Sequence, residues 1–175
     1  MTGYTEYVFI GMIFSFIGDL ILGRVFKIKN ILLFGTLCFM SAQIFYIAAF
    51  VKTMRLNNVI ILNRLWIGLI IFIPINYLIW HFKVRNPQKE TYVNIGALIY
   101  ALILGIMAGS ALTLAITIGG KWWSTTIGAI AFVISDNLIM ITDIGTVRIK
   151  NVSMWVWLTY VVAQIGIIYA SMITF

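Results

Sequence analysis

The chain has 175 residues, of which 62% are hydrophobic and only 10% charged. That balance is far too apolar for a water-soluble domain and describes a polytopic helical membrane protein. The formal charge of +7 does not point to nucleic acid, because the basic residues lie in short clusters between apolar runs, where they set membrane topology instead.

Six apolar runs are long enough to cross a bilayer, which takes about 20 helical residues at 1.5 Å rise. They fall near 4–23, 31–51, 59–82, 92–118, 123–142 and 154–174. The first lacks a basic leading segment and a small-residue cleavage site before Arg24, so it reads as a retained helix and not a signal peptide. The expected fold is therefore all-α: a bundle of about six transmembrane helices, one domain over residues 1–175, with both termini on the same side.

Between the runs lie Arg24, Lys27 and Lys29, then Lys52 and Arg55, then Lys83, Arg85 and Lys89, then Gly119, Gly120 and Lys121, then Arg148 and Lys150. The first, third and fifth connections together hold eight of the twelve basic residues, which places them in the cytoplasm and both termini outside. Arg64 lies near the outer end of the third run and can snorkel to the headgroups. Pro74 interrupts the same run, and His81 sits at its inner end as an interfacial residue. Trp122, Trp123, Trp155 and Trp157 fall at helix starts, as an aromatic belt requires.

Two carboxylates stand out against this background. Asp19 in FSFIGDLIL and Asp136 in IGAIAFVISDNLIMI are two of only five acidic residues, and each lies inside an apolar run. A charged side chain at the centre of a membrane helix costs roughly 2.5–3.5 kcal/mol on insertion scales, so an acid kept there points to function. The bland reading is a neutral carboxyl hydrogen-bonded between helices. Burial disfavours the ionised form and a second carboxylate nearby disfavours it further, and that is the condition for a carboxylic acid to donate a proton near neutral pH while its partner acts as base.

Depth along the helices brings other polar groups to the same region. Asp19, Asn76 and Asp136 each lie roughly 6–10 Å from the inner end, and Gln43, Tyr100, Tyr160 and Gln164 roughly 12–18 Å above it. Tyr46 shares a helix face with Gln43, and Ser15 with Asp19. These groups, with Ser135, are expected to line one cavity that opens on the cytoplasmic side, and Gly18, Gly105, Ala108, Gly109 and Ser135 allow close helix approach around it. For Gln43 and Gln164 a structural hydrogen bond is an equally good explanation, and for the tyrosines plain packing is.

Absences narrow the chemistry. One histidine and one cysteine, both distant from the acids, do not build a zinc site, and no Ser-His-Asp set is present. No metal or other cofactor is expected. Acid–base work by carboxyl groups remains, or ion and proton movement.

The segments FSFIGDLIL, LLFGTLCFMSAQIFYIAAF, IYALILGIMA, IGAIAFVISDNLIMI and WLTYVVAQ, in that order, resemble the YhhN family of membrane proteins, whose characterised members are lysoplasmalogenases. The features that carry the likeness are Gly-Asp near the end of one helix, Phe-Gly followed by Phe and an aromatic pair in the next, Tyr100 with Met107, Ser-Asp, and Tyr160 with Gln164. The resemblance implies Asp19 and Asp136 as the acidic residues of an active site, with Tyr46, Tyr100, Tyr160 and Gln164 at matching positions. It also implies a lysophospholipid substrate among the membrane lipids, hydrolysed at its vinyl-ether bond to a fatty aldehyde and a glycerophospho-base.

Two departures from the family pattern matter. Relatives usually carry two further helices ahead of the Gly-Asp segment, so this chain looks like a six-helix version in which a homodimer would supply the missing wall. Relatives also commonly have histidine at the position of Gln43, and glutamine orients an oxygen or a water without shuttling a proton. A proton-coupled carrier or small channel using the same acid pair, with Pro74 as hinge, is the rival reading.

Overall fold

A computed structural model describes residues 3–59 and 64–170. Among them are six helices that are long and apolar enough to span a membrane: α1 Gly3–Leu22, α2 Ile31–Leu56, α3 Trp66–Ile79 with a π turn over Trp80–Val84, α4 Thr91–Ile118, α5 Trp122–Asp143 and α6 Val152–Tyr169. The protein is an all-helical integral membrane protein. Each helix coincides with one apolar run, apart from the parts of the third and sixth runs at 60–63 and 171–174, which lie outside the described residues. Helix α2 runs five residues further than its apolar stretch, through Lys52 and Arg55, because both are good helix formers and nothing stops the helix before Asn57. Asn58 then turns the chain with a left-handed φ of 57°.

The helices pack as three hairpins, α1 on α2, α3 on α4 and α5 on α6, and α4 joins them by meeting both α2 and α5. Helices α4 and α5 are the centre of the bundle: 61% of each membrane-spanning window is buried, against 28% for α1 and 11% for α6. That difference decides what can line an internal site. The outer faces carry Phe9, Phe16, Ile70 and Trp157, all exposed, as a lipid-facing surface requires. The first and last helices meet at the terminal end, where the Tyr4 hydroxyl donates to the Ile167 carbonyl at 2.6 Å and its ring stands edge-on to Trp122. Both ends of the described chain therefore lie on one side of the bundle.

Lipid tails are as apolar as leucine, so helices in a membrane associate through close packing and hydrogen bonds. Two backbone crossings show this. At α3–α4, a Cβ on Gly68 would come within 1.9 Å of the Gly109 carbonyl oxygen, and at α5–α6 a Cβ on Gly128 would stand 2.8 Å from the Ala163 carbonyl oxygen. Only glycine fits either place. Gly128→Leu is expected to cost about 1–3 kcal/mol by forcing α5 and α6 apart. Gly96→Ala, whose added carbon meets nothing within 4 Å, should cost nothing and stabilise the helix by up to about 1 kcal/mol. Thermal unfolding midpoints of the two variants in detergent check both outcomes.

Candidate active site

Helix α5 presents Ser135, Asp136 and Asn137 in succession, and an α-helix turns about 100° per residue, so the three side chains face three different neighbours. Ser135 donates to the Val156 carbonyl of α6 at 3.2 Å. Asn137 donates from Nδ2 to Asn76 Oδ1 of α3 at 3.0 Å and to its own helix at Val133. Asp136, between them, turns toward α4, where the Tyr100 hydroxyl donates to its Oδ2. Asp136 and Tyr100 are each only 4% exposed.

This pair lies on a cavity of about 360 Å³ bounded by the start of α2, the first turns of α4 and the last turns of α5. On α5 its wall is Asp136, Ile139, Met140, Asp143 and Ile144, a single helix face at i, i+3, i+4, i+7 and i+8. On α4 it runs from Tyr92 to Tyr100, eight residues or about 12 Å. Lys29 and Asn30 also line it, so it extends from the end of the bundle that carries the basic connections 24–29, 83–89 and 148–150 inward to the Tyr100–Asp136 pair.

Asp19 stands elsewhere. It belongs to the peripheral helix α1, is exposed at the α1–α6 edge, and accepts a hydrogen bond from the Tyr160 hydroxyl at 2.8 Å. It does not line the cavity. Between the two acids lies an aromatic cluster in which Phe39 and Phe132 meet edge-on at 6.5 Å, and Tyr160 meets them at 6.2 and 5.6 Å. Phe39 lines the cavity on one side and packs against Gly18, the neighbour of Asp19, on the other. Each carboxyl bonds its own tyrosine.

Tyr46 links the two halves from the core. It is fully buried, its hydroxyl lies 3.3 Å from Ser15 Oγ, and it donates to Gln164 Oε1 at 3.3 Å. Gln43, one turn before Tyr46, is also fully buried and sits beside the Tyr100 hydroxyl.

The cavity expected from depth along the helices is thus an arrangement of two parts. Asp136 and Tyr100 line the cavity, with Gln43 behind Tyr100. Tyr46, Gln164, Tyr160 and Asp19 form a network on the far side of Phe39, while Asn76 and Ser135 tie α5 to α3 and α6. Among the cavity's other lining residues, Phe39 belongs to the Phe-Gly…Phe feature of the family likeness without a role assigned to it, and Asp143 carries only the seven-residue step from Asp136 as a signal. The mouth is braced by another unexpected pair: Asn86 and Asn94 exchange two hydrogen bonds of 2.9 Å, and Asn86 Nδ2 holds the Ile144 carbonyl at 2.9 Å.

Among the described residues, no three His, Cys, Asp or Glu side chains gather as a metal site. No significant match was found among curated proteins or among solved structures. A model of the YhhN family matches residues 1–171, nearly the whole length, and the chain belongs to the YhhN family.

Proposed function

We propose that the protein hydrolyses the vinyl-ether bond of lysoplasmalogens, releasing a fatty aldehyde and a glycerophospho-base. The observation that carries this reading is the buried Tyr100–Asp136 pair on a mostly apolar cavity of about 360 Å³ in a chain of this family. A pocket of about 300–1,000 Å³ takes a drug-sized ligand, which here is the headgroup, the glycerol and the first carbons of the chain. The remaining carbons extend among the apolar side chains into the bilayer.

Asp136 acts first as the acid. Tyr100 occupies Oδ2, which leaves Oδ1 to carry the proton and deliver it to the alkenyl β-carbon. The neighbouring carbon becomes an oxocarbenium ion beside the carboxylate just formed, and Asp19 adds negative potential from beyond Phe39. Water then adds to that carbon and yields a proton to Asp136, while Gln43 supports Tyr100 from behind. In the hemiacetal so made, Asp136 returns that proton to the glycerol oxygen as the carbon–oxygen bond breaks and takes up the proton of the hemiacetal hydroxyl, so aldehyde and alcohol separate and the acid is restored. Tyr46, Tyr160 and Gln164 hold Asp19 and the back wall in place, while Asn76 and Ser135 fix the rotation of α5 and so the aim of Asp136.

Purified protein should release aldehyde from a vinyl-ether lysolipid and none from its ester-linked analogue. Equal hydrolysis of both, or of neither, would refute the proposal. Proton-driven uptake into proteoliposomes without aldehyde release would favour the carrier instead.

A further inference from the structure

The mouth of the cavity carries one charge of each sign, Lys29 at the start of α2 and Asp143 at the end of α5, and both side chains line the same space. Among the described residues no ion pair joins them: Asp143 accepts only from Thr142, at 3.3 Å. Neither charge is explained by helix stability. Asp143 sits in the last turn of α5, where the helix dipole disfavours an acid, and Lys29 precedes the first turn of α2, where it disfavours a base. Positive connections on one side of a membrane account for Lys29 but not for an acid among them.

We propose that Lys29 and Asp143 form a split site for a zwitterionic phospholipid headgroup, Lys29 taking the phosphate and Asp143 reading the cationic amine. Register supports the assignment. Asp143 lies seven residues from Asp136 on the same face of α5, an axial distance of about 10 Å. From the ether oxygen of a lysolipid to its amine nitrogen there are nine bonds, about 11 Å at the roughly 1.2 Å per bond of an extended chain. With the reacting bond at Asp136, the amine therefore reaches Asp143. The phosphate, five bonds out, falls between, near Lys29 and the first turn of α2, whose N–H groups have no side-chain cap. The Tyr92 ring at the same mouth gives methylated amines an aromatic face. The position of Asp143 is itself fixed, because Asn86 holds the next carbonyl, that of Ile144.

This proposal rests on the substrate orientation of the preceding section, and its test is independent of turnover. Ester-linked lysophosphatidylethanolamine and lysophosphatidylglycerol carry the same phosphate and differ in the amine, and neither has a vinyl-ether bond. Their binding to the full chain in nanodiscs, followed by native mass spectrometry, should show about tenfold tighter Kd for the ethanolamine lipid. Asp143→Asn should bring the ratio close to one by weakening only the ethanolamine lipid, and Asp143→Glu should restore most of it. Lys29→Gln should weaken both lipids to a similar degree. Equal wild-type affinities, or an unchanged ratio in Asp143→Asn at a wild-type unfolding midpoint, would overturn the assignment. Selective binding without aldehyde release from the vinyl-ether lipid would uphold the headgroup site and refute the proposed hydrolysis.

Discussion

Asp136→Asn is expected to lower aldehyde release by about 10²–10⁴-fold, the range over which a positioned general acid contributes. Asparagine has the shape of aspartate and keeps a carbonyl oxygen for the Tyr100 hydroxyl to donate to, so the contact between α4 and α5 survives. What is lost is the transferable proton, and with it the carboxylate that would stabilise the cation and collect the proton of the incoming water. The deficit should appear in kcat, with KM little changed, because the interaction removed is one made in the transition state. Aldehyde release by purified protein, alongside an unfolding midpoint close to wild type, measures it. Activity within a factor of a few of wild type would remove Asp136 from the chemistry.

Asp19→Asn should be milder, about tenfold in kcat. Its carboxylate is held by Tyr160 on the far side of Phe39 and does not line the cavity, so it acts on the reacting centre by charge alone. Through protein at an effective dielectric of about 20, a unit charge beyond contact distance is worth roughly 1–2 kcal/mol, which is about one order of magnitude in rate. The contrast between the two substitutions is the informative quantity. If Asp19→Asn were as damaging as Asp136→Asn, then Asp19 would reach the substrate directly, and Phe39 would have to move aside during turnover. Tyr160→Phe should follow Asp19→Asn in direction with a smaller effect, since it frees the carboxylate without removing its charge.

The membrane crossings were legible because each is a run of apolar residues of bilayer length, and that signal does not depend on packing. Depth was legible in part: helical rise puts Asp136 roughly 6–10 Å and Tyr100 and Gln43 roughly 12–18 Å from the inner end, and the long tyrosine side chain spans the difference to Asp136. Azimuth was not. In a lipid-facing bundle the outer surface is as apolar as the core, so periodicity does not reveal that α4 and α5 are central while α1 is peripheral. Asp19 was therefore expected inside the cavity and stands at the α1–α6 edge.

The same limit explains Asn76 and Ser135, whose level was right for the cavity but whose direction, set by the turn of each helix, leads to a neighbouring helix. Phe39 is the phenylalanine that follows Phe-Gly in the family likeness, but that feature gives no sign of which neighbours its ring meets. Gly18 lets the ring lie against α1 while its other side faces the cavity. Asp143 was different. Its spacing from Asp136 is two helical turns, and only its position at the end of the apolar run kept it from notice.

The most direct test of Asp136 as proton donor to carbon is hydrolysis of a vinyl-ether lysolipid in D₂O, with the aldehyde trapped at once by reduction and weighed by mass spectrometry. Protonation of the alkenyl β-carbon predicts one deuterium on the carbon next to the former carbonyl in every product molecule from the wild type. Product without deuterium there would mean that the carbon–oxygen bond breaks by another route, and would contradict the mechanism built on Tyr100 and Asp136.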